Sequence, residues 1–591
     1  MSQDIAAHGT NDTSAVTLNQ APTPEAGPSR TSANDEKRTA ENVVSNTGDA
    51  EDEGHGQTPS VRSRNTWKSV GLVTTCTFAM MANASANTSA SIAFPTIGAK
   101  LHIPEARLQW IASAYSLSSG CLLLFFGRLA DLYGRKRAFL AGSLCMVAFS
   151  IGCALAKDEI TLDVLRGLQG CGAAATIPAS LGILAHAFPP SRARTLAFAT
   201  FSAGSPIGAA FGMIIGGVLT QLTTPTWRST FWFSTAFAAV CLVGGFFFID
   251  PDLPSTESDR RVDWIGALLA TAGLVLIVFV LSDGELAPDE WKTSYIIAFL
   301  ILGVALIVAF LLWQRYLERV ADNPDPSKSH ARNRWTPPPL MRVSLWGRAH
   351  GKFAAMQFVA FLNWACFIAL QFWIQLYYQS YVGLSPILTM VRLLPMFVTG
   401  VICNVFVALL IGRVDVIFLV VTGTVLTSCG ALLFAVIVPS APYWAFGFPS
   451  AVISVFGADF VFASGTLFVA KVALPHEQSL AGALFQTMTQ LGTAFGLTIS
   501  TIVFNRVLKR ESRERGVNTS GVDASAAPRP AQLEAYKAAQ WTTFGFGMLA
   551  TALALIYLRN VGIIGASHKK KGKTAPEAPA ADGSDAEKAH A

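Results

Sequence analysis

The residues best placed for chemistry are the few charged and amide side chains that interrupt long apolar runs. Asp459, in Phe456-Gly457-Ala458-Asp459-Phe460, is the most deeply placed acid. A carboxyl in an apolar medium can take up and release a proton or hold a cation, so Asp459 is expected to be a coupling site or a neutral hydrogen-bonding group. Arg392 is a possible partner. Arg166 also falls inside an apolar helix, which costs about 2.5–3.5 kcal/mol on insertion scales unless it is paired or near the interface. Asp163, three residues earlier on the same helical face, is the expected partner, either for coupling or as a simple interfacial ion pair. Gln371 and Gln375 lie one turn apart, and Gln486 and Gln490 repeat that spacing. With Trp364, Trp373 and Tyr377 they suit hydrogen bonding and apolar contact to a small-molecule substrate in a cavity, or bonding between helices.

Other chemistries lack their residues. No His/Asp/Glu cluster has metal-ligand spacing, no G-x-S-x-G elbow occurs, and the nine cysteines all lie in apolar stretches without pairing, so no metal, cofactor or disulfide framework is expected. The string nearest to a phosphate-binding loop, Gly572-Lys573-Thr574, has Ser567 where the first glycine should stand, which argues against ATP as a partner. The net charge of +6 comes without a basic, aromatic-studded face, so nucleic acid is not expected either.

The elements that carry these residues follow from composition. In 591 residues, 51% are hydrophobic and 14% charged, against about 25% charged in soluble domains. Apolar runs long enough to cross about 30 Å of hydrocarbon fall near 69–93, 108–127, 137–156, 161–186, 195–220, 228–249, 263–282, 293–313, 352–376, 387–411, 416–438, 443–470, 480–504 and 540–561. The expected fold class is therefore an all-α polytopic membrane protein with fourteen transmembrane helices. Continuous runs of this length exclude a β-barrel. With a cytosolic N-terminus the inner loops hold 18 Lys and Arg and the outer loops before residue 505 hold five, which supports both termini in the cytosol. The segment 505–539 runs against this with seven bases, and it carries the sequon Asn518-Thr519-Ser520, a glycosylation candidate.

Gly127-Arg128-Leu129-Ala130-Asp131-Leu132-Tyr133-Gly134-Arg135-Lys136-Arg137, between spans 2 and 3, resembles the loop signature of the major facilitator superfamily. Physically, its glycines permit a tight turn, Asp131 can cap a helix, and Arg128, Arg135 and Arg137 can hold carboxylates or helix C-termini. Arg166-Gly167-Leu168-Gln169-Gly170 in span 4 resembles the second motif of that superfamily. Span 5 looks like the antiporter signature of drug exporters. Gly204, Gly208, Gly212 and Gly216 recur every fourth residue and make a smooth packing face, followed by Gly217, while Pro206 stands earlier than the family's Gly-Pro step, here Gly212-Met213. Ala93-Phe94-Pro95-Thr96-Ile97 and the segment 480–492 resemble the fourteen-span drug:proton antiporters of the TCR/Tet type. That family usually has an aspartate where this chain has Ala86-Asn87-Thr88. The Ser-Pro-Ile-Gly step and the Asp459 segment look like the fungal aminotriazole-resistance and ammonium-transporter branch.

The resemblance implies a major facilitator fold of two six-helix bundles plus an inserted pair: a tail 1–66, a bundle 67–250, the pair 262–314, a cytosolic loop 315–350, a second bundle 351–562 and a basic tail 563–591. Gly412-Arg413-Val414-Asp415, where the half-repeat would mirror the Gly127–Arg137 loop, agrees with two bundles rocking about a central site. It further implies proton-coupled efflux of a drug or secondary metabolite, not an enzyme, in the plasma membrane rather than the vacuolar one. Transport of a small polar solute such as ammonium or borate is the alternative, and a non-transporting receptor a remote one.

Overall fold

The structure is a computed structural model. It describes residues 66–188, 192–252, 261–284, 287, 290–322, 336–410, 413–473, 478–517 and 527–562. Asn518, Gly412 and the expected tails up to residue 65 and from 563 lie outside the described residues.

Among the described residues the regular elements are helical. In chain order the α-helices are α1 Thr66–Ile92, α2 Phe94–Leu101, α3 Glu105–Tyr133, α4 Arg135–Leu155, α5 Glu159–Ala187, α6 Arg192–Leu222, α7 Arg228–Phe248, α8 Trp264–Asp283, α9 Ser294–Ala321, α10 Lys352–Leu376, α11 Pro386–Leu410, α12 Val416–Ala435, α13 Tyr443–Ile453, α14 Val455–Val472, α15 Gln478–Glu514 and α16 Arg529–Tyr557. Among the described residues thirteen segments are long and apolar enough to cross a membrane, with α13 and α14 forming one of them. The fourteenth expected span is α1. It has the length, but its Ser, Thr, Asn and Ala residues dilute its hydropathy, because this helix spends its surface on close packing.

That packing is against α6. A Cβ built on Gly204 would come 2.9 Å from the Thr77 carbonyl oxygen, on Gly208 2.5 Å from that of Met81, on Gly212 2.5 Å from that of Ser85, and on Gly216 2.7 Å from Ser89 Cα. Thr88 Oγ1 then donates to the Ala209 carbonyl at 2.9 Å, a bond possible only at this approach. The second half repeats the device between α15 and α10, where Cβ atoms on Gly492 and Gly496 would meet the Phe361 and Ala365 backbone at 2.1 and 2.5 Å. Without a hydrophobic force between helices in lipid, such seams supply the dispersion contact that holds each half together.

The halves, α1 to α7 and α10 to α16, meet along α3 with α15 and α6 with α11, and α8 packs on both α3 and α15. The inserted pair is pinned by buried polar groups. Asp263 caps α8 through Gly266 N at 2.7 Å and accepts from Trp313 Nε1 at 2.9 Å and Gln314 Nε2 at 2.6 Å in α9. Gln314 Oε1 accepts from Met341 N at 3.0 Å, and Glu318 accepts from the backbone and hydroxyl of Ser344, so the segment leading into α10 is tied to α9.

Two helices are irregular where function is expected. After α10 the chain makes a π turn, Tyr377–Tyr381. Between α13 and α14 the helix breaks at Ser454, five residues before Asp459. Thr427 of α12 inserts there, donating to the Ser454 carbonyl at 2.6 Å and accepting from Gly457 N at 3.0 Å. A side chain entering the helical ladder, with Pro449 one turn earlier, is a sufficient cause for the kink.

If the α1–α6 seam is the fold's tightest constraint, Gly212→Leu should cost about 1–3 kcal/mol or more by overpacking. Gly545→Ala, which has open space around it, should leave stability unchanged. Thermal melting of the purified variants in detergent checks both; equal melting of Gly212→Leu and the parent would contradict the packing argument.

Candidate functional site

Asp459 is half-buried in α14 and faces α11. Its Oδ1 accepts from Asn404 Nδ2 at 3.1 Å, and the same amide nitrogen donates to the Gly400 carbonyl at 2.9 Å. Cys403 is its other polar neighbour, and no lysine or arginine pairs with it among the described residues. Gly400 of α11 faces Asp459 and Val455 at ordinary contact distance. The expected partner Arg392 is elsewhere. Its guanidinium lies over the rings of Tyr378 and Tyr443, 5.0 and 5.5 Å from their centroids. It precedes Asn404 on α11 by twelve residues, about 18 Å of helix.

In the first half, Arg166 is fully buried and reaches three neutral acceptors: the Ile111 carbonyl from Nε at 2.8 Å, Gln169 Oε1 at 2.7 Å and Asn87 Oδ1 at 2.8 Å. Its guanidinium also sits 4.7 Å from the Tyr115 ring centroid, and Tyr115 donates to Asn83 Oδ1 at 2.8 Å. Gln169 Nε2 donates to Ser150 Oγ at 2.6 Å and closes the network. Asp163 is not the hydrogen-bonded partner expected from its spacing. The guanidinium donors are taken instead by acceptors on α1, α3 and Gln169, and Asp163 acts on Arg166 through its charge. Asn87, within the Ala86-Asn87-Thr88 stretch where the resembling family usually has an aspartate, is therefore an arginine acceptor here. At the mouth of α5, Arg107 pairs with Glu159 at 3.5 Å, and Asp158 caps the helix. The Thr161 backbone N–H, then its hydroxyl, hold the Asp158 carboxyl below its usual range.

The amides divide. Gln375 is buried and donates to the Ser91 carbonyl of α1, and Gln379, which the sequence did not single out, donates to the Ile92 carbonyl at 3.1 Å. With Gln221 accepting from Ile387 N at 3.1 Å and Phe94 against Phe372 at 6.0 Å, they join the two halves at one face of the molecule. Gln375 therefore belongs to a seal rather than to an open cavity. Gln371 reaches Met396 Sδ at 3.5 Å, Trp364 packs on Phe462 at 5.7 Å, and Gln490 lies against Gly120 of α3. Gln486 is half-buried one turn before it on α15. Trp373 is fully buried, stacked on Phe504 at 4.5 Å and donating to Ser500 Oγ at 2.8 Å, so it serves the packing of the second half.

The Gly127–Arg137 loop folds onto its own half. Asp131 bonds Arg135 at 2.8 and 3.0 Å, and Arg135 donates to the Gly182 carbonyl at 3.2 Å. Capping, expected of Asp131, is done by Asp252, which accepts from the backbone of Lys136 at 2.7 Å and Arg137 at 3.1 Å. Asp131 is drawn to Arg135, one turn on, and Asp252 arrives from beyond the end of α7. Gly134 has φ 113°, and a Cβ there would lie 2.2 Å from Asp252 Oδ2, so both backbone and space demand glycine. Lys136 Nζ donates to the Phe246 and Ile249 carbonyls at the α7 C-terminus, at 3.0 and 2.6 Å. Gly127 meets Pro178 of α5 at ordinary contact distance, Arg128 is half-buried on α3 and Arg137 is exposed.

Removing the Arg166 side chain leaves the Ile111, Gln169 and Asn87 oxygens without their donor, at about 1–3 kcal/mol for each unsatisfied group. Arg166→Met is expected to melt well below the parent, with Arg166→Lys recovering only part, because an ammonium cannot reach three spread acceptors. Equal melting of Arg166→Met and the parent would contradict this.

Comparison with known proteins agrees with the geometry. The sequence signature of the Major Facilitator Superfamily matches residues 76–282 and 256–497. Relatives include the Puromycin resistance protein pur8 of Streptomyces alboniger, 29% identical over 70% of this chain and 78% of that one. Another is the Low affinity ammonium transporter of Saccharomyces cerevisiae, 26% identical over 68% of this chain and 74% of that one. In fold, the chain is similar to an auto inhibited POT family peptide transporter, with TM-score 0.54 at 15% identity over 83% of this chain and 98% of that one. The chain belongs to the Major Facilitator Superfamily and is a multi-pass secondary membrane transporter.

Proposed function

We propose that the protein exports a small organic compound, a drug or secondary metabolite, in exchange for protons, by alternating access. One observation carries the reading: a carboxyl within a kinked membrane helix, Asp459, has the neutral Asn404 and Cys403 beside it and, among the described residues, no cation. Such a group can change its charge during a cycle without breaking an ion pair. The joined face at Gln375, Gln379 and Gln221 supports one closed state of that cycle. The name of the Streptomyces relative supports drug efflux.

We assign the chain to the fourteen-span drug:proton antiporters, near the fungal aminotriazole-resistance branch. Its proposed bundles are 67–250 and 351–562, with the pair 262–314 between them and both termini on the cytosolic side of the plasma membrane. Inward movement of one charge through 100 mV supplies about 2.3 kcal/mol, enough to sustain a solute gradient of roughly 50-fold. A second reading, transport of a small polar solute, is favoured by the yeast relative, an ammonium transporter.

Everted membrane vesicles separate them. Puromycin is expected to accumulate while a proton gradient is held and to fall to background when it is collapsed, and Asp459→Asn is expected to abolish the accumulation. Uptake confined to methylammonium would favour the second reading, and puromycin accumulation untouched by Asp459→Asn would contradict the coupling role.

A further inference from the structure

Glu318, near the end of α9, is a buried carboxyl that the transport reading leaves unused. It keeps 7% of its surface exposed. Both of its oxygens accept from the Ser344 backbone N–H at 3.2 Å, and Oε1 also accepts from the Ser344 hydroxyl. Ser344 lies in a 3-10 stretch, Val343–Gly347, that touches both α9 and α10. Apolar contacts dock the same stretch: Leu345 is fully buried in the core of the second half with Met341 and Phe353, and Trp346 packs on Phe358 at 5.7 Å. The Glu318 carboxylate thus ties the inserted pair to the entry of α10.

Ser344 is itself exposed, although its hydroxyl is spent on a buried acceptor. Of the two hydroxyl residues in the described segment 336–351, Thr336 is buried, which leaves Ser344 as the one a soluble enzyme can reach. Arg342 stands two residues before it, a basic side chain of the kind that arginine-directed protein kinases read ahead of their serine. A phosphoserine has no hydroxyl proton to give Glu318 and carries about −1.5 to −2 charge at pH 7. Beside a buried carboxylate, where salt screens poorly, it turns an attraction into like-charge repulsion. Arg342 does not cancel this, because it already pairs with Asp322 at 3.7 Å.

We infer that Ser344 is a phosphorylation site and that its phosphate releases the 341–347 segment from α9, loosening the inserted pair from the second half. Ser344 Oγ attacks the γ-phosphorus of ATP held by a cytosolic protein kinase; the new O–P bond forms as the bond to the ADP oxygen breaks, and the hydroxyl proton passes to the kinase's catalytic carboxylate. The hydroxyl must leave Glu318 to be presented, so the kinase captures a brief opening of the segment and the phosphate keeps it from closing. The Gln314 bond to Met341 N then remains to hold the segment. Access by a cytosolic enzyme rests on the proposed cytosolic placement of 315–350.

The test uses the full-length protein in lipid nanodiscs, treated with ATP and cyclic-AMP-dependent protein kinase and read by phosphopeptide mass spectrometry and amide hydrogen exchange. Phosphate is expected on Ser344 there and in protein recovered from eukaryotic cells, whose ATP is cytosolic. Exchange across 343–348 is expected to rise about tenfold or more, the factor that loss of a hydrogen bond to a charged group implies. Ser344→Asp should raise exchange in the same peptide, and adding Glu318→Gln should return it toward the parent, since the second carboxylate is gone; a variant that merely unfolds would not be rescued. Ser344 left unmodified in both preparations, or exchange unchanged once it is modified, would overturn the inference. Equal exchange in Ser344→Asp with and without Glu318→Gln would overturn it as well. None of these readouts involves Asp459, so puromycin export stands or falls separately.

Discussion

A charge inside hydrocarbon must be compensated by something fixed nearby or be able to disappear, and the polar interior of this protein is arranged around that choice. Arginine cannot lose its proton, so Arg166 is surrounded by acceptors on three sides, from α1, α3 and its own helix. Aspartate can lose its charge by protonation, and among the described residues Asp459 has an amide and a thiol as its polar neighbours. The first arrangement holds a helix bundle together. The second leaves a site whose charge is free to vary, which is the property proposed here for coupling.

The same division runs through the packing. Within each half, glycine seams bring backbones so close that a single added carbon would collide, as at Gly208 against Met81 or Gly492 against Phe361. Between the halves at the joined face the links are single hydrogen bonds from Gln375, Gln379 and Gln221 plus ring contacts. Interpenetrating seams do not slide, because interiors are close-packed, whereas a handful of amide bonds can be exchanged for water. Rigid halves with a separable rim are what rocking about a central site requires.

Much of the architecture was legible in the sequence, because hydrocarbon thickness and the absence of charge are local properties that a run of residues displays directly. The glycine period at 204, 208, 212 and 216 likewise announced a packing face, though not that α1 would fill it. Partners were less legible. Asp163 sits at the right spacing for Arg166 and acts on it through its charge, but the hydrogen bonds go to Ile111, Asn87 and Gln169; Asp131 sits at the right place to cap α4, and that role went to the distant Asp252. Neutral amides such as Asn87, Asn404 and Gln379 carry no pattern that separates a network member from a cavity lining; only the arrangement of neighbouring helices does. Asp263, Gln314 and Glu318 escaped notice because each looks like an ordinary flanking polar residue until the fold brings α8, α9 and the 341–344 segment together.

The account turns on Asp459 changing its protonation within the membrane. Difference infrared spectroscopy of the protein in lipid, recorded across a pH step, reads this directly through the carboxyl C=O stretch. A titrating carboxyl band in the parent that is missing in Asp459→Asn and retained in Asp163→Asn is the predicted result. Spectra of the parent and Asp459→Asn that coincide through the pH step would contradict it.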